Sequence, residues 1–438
     1  MTPSARLSAA IDLISAMEAT PFRPADAVAN SFFRERRYIG GGDRRAISAR
    51  VWDTLRHWRR LCWWIERADA PVTPRILVLA LEVLARQDRM TPEELFSGER
   101  YAPSRIDPQE RALCAFLRGK SMDHPEMPRA VTLEVPDWLL PRVEATFGAQ
   151  ADAELQAMMG EATLDLRANL LKTTREAARM ALAQEGITTQ DTTLSPWGLR
   201  VAGRQPVTST AAFRAGLIEI QDEGSQLVAA AVGAEPGMRV LDYCAGAAGK
   251  TLAMAMTMNN RGHIVACDVS EPRLDGAVRR LRRAGVHNAE RHLLATGDKW
   301  ARRRAGSFDR VLVDAPCTGT GTWRRNPDAR LRLRESDLLE LMEKQSDILD
   351  RAAALLRPGG RLVYATCSIL NEENHDQIAA FVQRNPAFRL VTPPQGEGIM
   401  PAGLLVGGQM SLSPPAKRDG WLFYRRDGTR RLTGFFYS

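Results

Sequence analysis

The 438-residue sequence lacks several features that would assign it to a specialised class of protein. No apolar run is long enough to cross a bilayer, which argues against a membrane partner. No low-complexity tract is present, and 44% hydrophobic and 26% charged residues are typical of a globular chain of two or three domains. The six cysteines include no C-x-x-C pair, so neither a zinc site nor a disulfide framework is predicted. We therefore expect a reducing compartment, the cytoplasm.

Lysine is scarce relative to arginine, so arginine supplies most of the positive charge behind the formal net charge of +8. The arginines cluster in residues 34–45, 279–283, 302–304 and 324–334. Arginine suits bidentate phosphate contact and stacking on bases, so these clusters favour a nucleic-acid partner. Solvated helix faces are the alternative, and they account for part of the 279–283 run.

Strand signals are missing from the first 120 residues. Apolar positions recur at helical spacing in residues 7–17, 47–65 and 76–84, and prolines mark helix starts. Asp12 and Glu18 argue against a transit peptide in the first of these segments. The sequence therefore predicts an all-helical domain over residues 1–125.

A Pro- and Gly-containing linker over residues 120–136 separates this region from a mixed α/β segment. In that segment the pattern predicts a strand over residues 165–171, a helix over 174–186 and a short strand over 199–201. We interpret residues 136–206 as a small α/β accessory domain.

Strands and helices alternate from about residue 213 onward, which is typical of a doubly wound, mostly parallel sheet. Residues 207–438 are therefore predicted to form a third domain. The expected strands are 239–243, 263–269, 290–294, 308–313 and 361–366, and the expected helices are 249–259, 271–284, 336–356 and 371–385.

Small residues fill the loop after the first of these strands, Cys244 to Lys250. Cys244 occupies the position where a Walker A loop needs its first glycine, and the G-x-G-x-x-G spacing of dinucleotide folds is also missing. An acid, Asp242, closes the strand before the loop. This combination favours S-adenosylmethionine as the ligand, with the helix start at Gly249 binding polar groups.

Aspartates follow four successive strands of the predicted sheet: Asp242, Asp268, Asp298 and Asp314. In such sheets ligands bind beyond the carboxyl ends of the strands. Asp268 is placed to accept bonds from ribose hydroxyls, and Asp298 to bond an adenine amino group. A single aspartate at such a position is more often a cap or turn residue, but four in succession favour a nucleotide site.

Cysteines also follow two of these strands: Cys317 in DAPC and Cys367 in TCS. If both face one cleft, the thiols could form a disulfide, bind a metal or have two catalytic roles. No metal set is completed nearby, although His375 is a weak candidate ligand. Trp323 is placed either to stack on a base or to pack in a core. A lone Asp-x-x-Cys is more often a surface loop with a structural cysteine.

The motifs DAPCTGTGTWRRNPDAR (314–330), YATCS (364–368), CAGAAGKT (244–251) and IQDEGSQLVA (220–229) together resemble the Nop/Sun-domain family of RNA 5-methylcytosine methyltransferases, in particular its bacterial RsmB-like branch. Residues 32–61 resemble the Arg-rich turn and long helix of NusB-like RNA-binding domains. The resemblance implies a Rossmann-like class I methyltransferase domain, preceded by an all-α NusB-like domain and the accessory domain.

The resemblance also implies the reaction and the roles of residues. Cys367 would attack C6 of a cytosine, Cys317 would assist breakdown of the adduct, Asp314 would bond the base near N3, and Lys250 would position cofactor or base. Thiolate addition at C6 activates C5 toward a methyl sulfonium. The target base must first be unstacked. The implied S-adenosylmethionine site contains Cys244, Ala245, Gly246, Ala247, Ala248, Gly249, Lys250, Asp268, Arg273, Asp298 and Asp314.

Two departures from the family pattern stand out. The family usually has Ala-Pro-Gly-Gly-Lys in the cofactor loop, whereas residues 246–250 are Gly-Ala-Ala-Gly-Lys. Loss of the proline is expected to loosen this loop. Two C-terminal segments, 419–424 and 433–438, match the family's closing strand, and the sequence does not distinguish them.

The expected function is methylation of C5 of a cytosine in ribosomal RNA, in particular the small-subunit RNA, by a monomer without a metal. Three alternatives stay open: a transfer RNA methyltransferase, a DNA cytosine methyltransferase, whose nucleophile would be the Pro-Cys cysteine, and a ribosome-assembly factor that binds RNA without catalysis.

Overall fold

The computed structural model describes residues 1–85, 90–203, 205–295 and 299–390, and the backbone of two C-terminal strands, 422–424 and 430–436. Packing divides the chain into two units. The first contains Met1–Glu161 and Thr322–Glu335, and the second contains Ala162–Gly321 and Ser336–Ser438. Within the described ranges, no helix combines the length and apolar character needed to cross a membrane.

The first unit is helical, as predicted for the N-terminal region. Side-chain caps and prolines begin several helices: Thr2 caps the first, and Asp107 and Glu110 form a reciprocal capping box before Pro108. Its helices are α1 (Pro3–Glu18), α2 (Ala25–Glu35), α3 (Gly41–Arg56), α4 (Trp58–Arg67), α5 (Pro74–Leu84), α6 (Pro92–Leu95), α7 (Pro108–Leu117), α8 (Arg129–Thr132), α9 (Leu140–Phe147) and α10 (Ala151–Ala157).

A four-stranded antiparallel sheet opens the second unit, with strand order β2-β3-β1-β4. Its elements are β1 (Leu164–Ala168), α11 (Arg175–Gln184), β2 (Thr189–Asp191), β3 (Gly198–Val201), α12 (Ala211–Arg214) and β4 (Ile218–Ile220). The predicted strand, helix and strand are confirmed. β2 and β4 escaped prediction because three residues are too few to show an alternating pattern.

A seven-stranded sheet with the order β10-β11-β9-β8-β5-β6-β7 forms the rest of the described second unit. All its pairings are parallel except that of β10 with β11, which confirms the expected Rossmann-like sheet. The elements of this part, with its helices, are α13 (Glu223–Ala231), β5 (Arg239–Asp242), α14 (Gly249–Thr257), β6 (His263–Asp268), α15 (Glu271–Ala284), β7 (Ala289–Leu293), α16 (Trp300–Arg303), β8 (Phe308–Asp314), α18 (Glu335–Leu355), β9 (Leu356–Thr366), α19 (His375–Arg384), β10 (Leu422–Tyr424) and β11 (Arg430–Phe436). The short helix α17 (Ala329–Arg332) lies between β8 and α18 along the chain and belongs to the first unit.

Two details of this sheet go beyond the sequence prediction. The helix expected over residues 371–385 is divided, because Asn374 has the non-helical angles φ −125° and ψ −93°. A single turn (Asn371–Glu373) therefore precedes α19. Both C-terminal segments join the sheet: β11 pairs parallel with β9, and β10 pairs antiparallel with β11.

The segment Thr322–Glu335 packs within the helical first unit. Trp323 is 1% exposed there, which favours the core-packing role over base stacking. The buried Arg330 lies near the Trp323 ring and donates to the backbone oxygen of Glu134. Asp328 accepts from the backbone nitrogen of Ala25 at 3.0 Å. Part of the arginine cluster at 324–334 is thus structural.

Candidate active site

The carboxyl ends of four neighbouring strands, β9, β8, β5 and β6, carry most of the predicted site residues. Asp242 ends β5, Asp268 ends β6 and Asp314 ends β8, while Cys367 follows β9 directly. The parallel register places these ends along one edge of the sheet, as the sequence predicted. Asp298 lies outside the described residues.

The cofactor loop is tied to the end of β6. The backbone nitrogen of Ala245 donates to the oxygen of Cys267, and that of Gly246 donates to Asp268 Oδ2, both at 2.8 Å. Asp268 Oδ1 accepts from the backbone nitrogen of Ser270. The buried Asp268 carboxylate therefore holds the loop in place. The sequence predicts that this same carboxylate binds the ribose hydroxyls of the cofactor.

A buried carboxylate lies beneath this loop. Asp242 Oδ2 accepts from the Thr251 hydroxyl at 2.6 Å, and Oδ1 has no hydrogen-bond partner among the residues that the structure describes. Burial raises the pKa of Asp242 to about 7. Above the loop, an added Cβ at Gly246 would meet no atom within 4 Å. The loop thus leaves open space at Gly246 and has the Asp242 carboxyl behind it. This arrangement fits the sulfonium and amino groups of S-adenosylmethionine.

The loop is also held by three side chains for which the sequence predicted no such contact. Arg280 Nη1 donates to the oxygen of Ala247 at 2.8 Å. Arg167 of β1 and Gln221 both donate to the oxygen of Gly249, at 3.2 and 3.3 Å. These three contacts restrain the loop that lacks the family's proline, and the expected loosening of the loop stays a prediction. Gln221 lies in the motif IQDEGSQLVA (220–229), whereas no sequence pattern around Arg167 predicts its contact with the loop.

One loop residue has an unfavourable backbone conformation. Ala248 has φ +63° and ψ 29°, the left-handed region that a glycine adopts more easily. It stands where the family usually has the first of two glycines. Because the alanine methyl is disfavoured in this region, the surrounding hydrogen bonds must hold the residue there.

Lys250 and Asp314 form an ion pair across the site. Lys250 Nζ lies 2.6 Å from Asp314 Oδ2, and the two side chains are 8% and 25% exposed. The lysine comes from the first turn of α14 and the aspartate from the end of β8. The structure therefore brings two of the four predicted catalytic residues together. Asp314 keeps partial access to solvent, as a group that bonds a substrate must.

The other two predicted catalytic residues also meet. Cys317 Sγ and Cys367 Sγ are 3.3 Å apart, and neither forms a disulfide. The hydrogen bond to Cys367, together with burial, raises the pKa of the Cys317 thiol well above its usual range. Either sulfur of this pair can donate the hydrogen bond to the other. No group of three His, Cys, Asp or Glu in the described ranges could hold a metal, and the side chain of His375 is half exposed beside Asp376.

The loops that carry the two cysteines are joined by hydroxyl contacts. Thr320 Oγ1 lies 3.1 Å from Ser368 Oγ, and the backbone nitrogen of Gly321 donates to the oxygen of Cys367 at 2.9 Å. A buried carboxylate, Glu373, also accepts from the backbone nitrogen of Thr318. Sequence reasoning missed Glu373, although the residue lies only six positions after Cys367.

Helix α15 carries two further groups of predicted residues. Arg273 is exposed on the first turn of α15. The predicted basic cluster on α15 is divided: Arg279 and Arg282 are exposed, whereas Arg283 pairs with Glu219 at 2.6 Å.

Comparison with known families decides the relationship. The model of the 16S rRNA methyltransferase RsmB/F family matches residues 229–425, and that of the ferredoxin-like domain of RsmF/B-like methyltransferases matches residues 135–208. Together they cover more than half of the chain. The chain belongs to the RsmB/F methyltransferase family. This membership confirms the resemblance seen in the sequence.

Individual relatives of this RsmB/F chain agree. It is 32% identical over 289 residues to ribosomal RNA small subunit methyltransferase B of Serratia proteamaculans, covering 66% of this chain and 65% of that protein. Identity to the protein of the same name in Photorhabdus laumondii is 34% over 260 residues, or 58% and 59% of the two chains. The matched region thus spans less than two thirds of these relatives.

Solved structures share the fold. A methyltransferase homologue from Pyrococcus horikoshii is 30% identical, with a TM-score of 0.54 over 61% of this chain and 85% of its own. The protein PH0851 is 24% identical, with a TM-score of 0.74 over 96% and 94% of the two chains. The second likeness supports the fold alone.

Proposed function

We propose that this protein transfers a methyl group from S-adenosylmethionine to C5 of a cytosine in ribosomal RNA, in particular that of the small subunit. The observation that carries the proposal is the contact between two thiols, Cys317 and Cys367, at the ends of adjacent strands beside the cofactor loop. A single cysteine would serve as a nucleophile, whereas a contacting pair allows one sulfur to bond the base and the other to handle a proton.

In this reaction Cys367 Sγ adds to C6 of cytosine, and the electron pair of the C5–C6 bond becomes available at C5. The bound cofactor would supply an electrophilic methyl group: the bond from C5 to this methyl would form as the methyl–sulfur bond breaks, and S-adenosylhomocysteine would leave. The C5 proton would then pass to a solvent base, and its electron pair would restore the C5–C6 double bond as the C6–Sγ bond breaks and returns its electrons to sulfur. The Cys317 thiol lies 3.3 Å from Cys367 Sγ, where it would donate a hydrogen bond to that sulfur as it departs.

Asp314 and Lys250 orient the base. The Asp314 carboxylate can accept a hydrogen bond from the base edge near N3, and Lys250 Nζ holds that carboxylate in place at 2.6 Å. The ion pair also compensates part of the cost of burying the lysine. Asp268 and the loop 244–250 would hold the cofactor, with Asp298 and Arg273 as further proposed contacts.

Bisulfite sequencing of total RNA from cells with and without the gene tests the substrate. We expect one methylated cytosine in small-subunit ribosomal RNA to become unmethylated when the gene is absent. Loss at a transfer RNA position would keep the chemistry and discard the substrate. No lost RNA site would contradict the proposal and favour a DNA substrate or a non-catalytic role in ribosome assembly.

The domain assignment is part of the proposal. We propose that residues 1–125 form a NusB-like RNA-binding domain, 136–206 an accessory domain and 207–438 the catalytic domain, acting as a monomer. We place the protein in the cytoplasm, because the reaction needs two free thiols and a reducing compartment preserves them.

A further inference from the structure

A buried carboxylate lies behind the cysteine pair. Glu373, in the turn after the TCS motif, is 0% exposed. Its Oε1 accepts from the backbone nitrogen of Thr318 at 2.8 Å and from Gln345 Nε2 at 2.9 Å. The Thr318 hydroxyl donates to Oε2. A backbone N–H, an amide and a hydroxyl thus satisfy this carboxylate, and none of these donors is a cation.

Glu373 and its partner Gln345 hold the two residues on either side of Cys317, which are Thr318 and Pro316. Gln345 Nε2 donates to the backbone oxygen of Pro316 at 2.9 Å as well as to Glu373. Both peptide neighbours of Cys317 are therefore fixed by the same pair of buried side chains. A carboxylate taken out of water is costly unless it is hydrogen-bonded, and the donors around Glu373 meet this requirement while they hold the turn at Cys317.

Three titratable groups surround the Cys317 thiol. Cys367 lies 3.3 Å away, Glu373 contributes a negative charge, and the Tyr364 ring belongs to the adjacent strand β9, with its hydroxyl donating to the backbone oxygen of Glu373. The charge of Glu373 acts in the same direction as burial and the contact with Cys367, since all of them disfavour a Cys317 thiolate.

We infer that Glu373 is a positioning residue for the transfer reaction: its buried carboxylate fixes the turn Pro316–Thr318, so that Cys317 Sγ faces Cys367 Sγ. The inference rests on the proposed function, because it assigns Cys317 the role of the thiol that assists adduct breakdown. Gln345 supports the same turn from α18.

Glu373→Gln tests the inference, because the amide has the same shape and one acceptor but no charge. We expect turnover with an RNA substrate to fall roughly tenfold, as loss of a hydrogen bond to a charged group would predict. The covalent RNA–protein adduct should accumulate, since its breakdown depends on Cys317. Alkylation of Cys317 by iodoacetamide, followed by mass spectrometry, should begin at lower pH than in the wild type.

Two further variants separate charge from geometry. Gln345→Met keeps the charge but releases Pro316, so it should slow turnover without moving the pH profile of alkylation; it also serves if Glu373→Gln does not fold. Asp376→Asn removes one negative charge from an exposed position on α19 and should match the wild type in every measurement.

Wild-type pH dependence of Cys317 alkylation in Glu373→Gln, with unchanged adduct levels, would overturn the inference, even if thermal stability fell. The alkylation experiment needs no RNA. If no adduct forms even in Cys317→Ala, the proposed function fails, whereas the pH profile still reports on Glu373.

Discussion

The cofactor side and the cysteine side of the site are held in place by different means. The loop 244–250 departs from the family pattern and is fixed by long side chains from other elements, Arg167, Gln221 and Arg280. The cysteine side keeps the family motifs and is fixed by its own buried groups, Glu373 and Ser368. The cofactor loop is thus held by residues distant in sequence, whereas the cysteine pair is held by residues of the turns that carry it.

The largest effect is expected at the junction of the two sides. Asp314→Asn removes the negative charge from the ion pair with the nearly buried Lys250 and turns a charge-assisted hydrogen bond into a neutral one. We expect kcat to fall by roughly 10²–10³-fold, as when a preorganised polar group is lost from an active site. Single-turnover methylation measures it. Asp347→Asn, in an exposed pair with Arg351, is the control and should change little. Equal effects of the two substitutions would contradict the assigned role.

Beneath the cofactor loop, the pKa of about 7 at Asp242 makes stability depend on pH. The folded protein binds a proton at Asp242 more tightly than the unfolded chain does. This contribution is therefore fully present below about pH 4 and is lost as the pH rises to about 7. Asp242→Asn should raise stability above pH 7, by up to a few kcal/mol. Denaturant unfolding between pH 5 and 8 measures the difference, and parallel curves for the two proteins would argue against a raised pKa.

Arg167 tests how the cofactor loop is supported. Its side chain is 1% exposed, and burial lowers its pKa to about 10, so it remains charged at neutral pH. Arg167→Met fills similar space but cannot donate to Gly249. We expect cofactor affinity to fall about tenfold, equivalent to one lost buried hydrogen bond. Calorimetric titration with S-adenosylhomocysteine measures it. Arg179→Met, on the exposed face of α11, should bind normally, and a matching loss there would point to general destabilisation.

The smallest expected effect is a gain. Ala248→Gly relieves the left-handed conformation of this residue and should stabilise the protein by about 0.5–1 kcal/mol, with the flexibility of glycine in the unfolded chain reducing the gain. Thermal unfolding checks it. A clear loss of stability would mean that the buried methyl group, which packs with Leu252 and Ala277, outweighs the backbone strain.

Much of the site was predictable because its residues occur in short sequence motifs at the ends of strands. A short apolar strand followed by an acid or a thiol identifies Asp268, Asp314, Cys317 and Cys367, and the parallel sheet then brings the strand ends together. The sequence also predicted the helical N-terminal region and the alternating strands and helices of the mostly parallel sheet.

The supporting contacts were not predictable, because their partners lie far apart in sequence. Arg167 is 82 residues from Gly249, and Glu373 is 55 residues from Thr318. A buried arginine in a strand and a glutamate in a turn have no periodic signature. Trp323 and its neighbouring arginines were ambiguous for a related reason: stacking and core packing need the same residue types.

One experiment distinguishes the thiol that attacks the base from the thiol that assists breakdown of the adduct. Purified wild type, Cys317→Ala and Cys367→Ala would be incubated with unmethylated small-subunit ribosomal RNA and S-adenosylmethionine, and covalent RNA–protein adducts separated on denaturing gels. We predict that Cys317→Ala accumulates the adduct, that Cys367→Ala forms none, and that only the wild type turns over. An adduct in Cys367→Ala and none in Cys317→Ala would contradict the account, since Cys317 would then be the nucleophile.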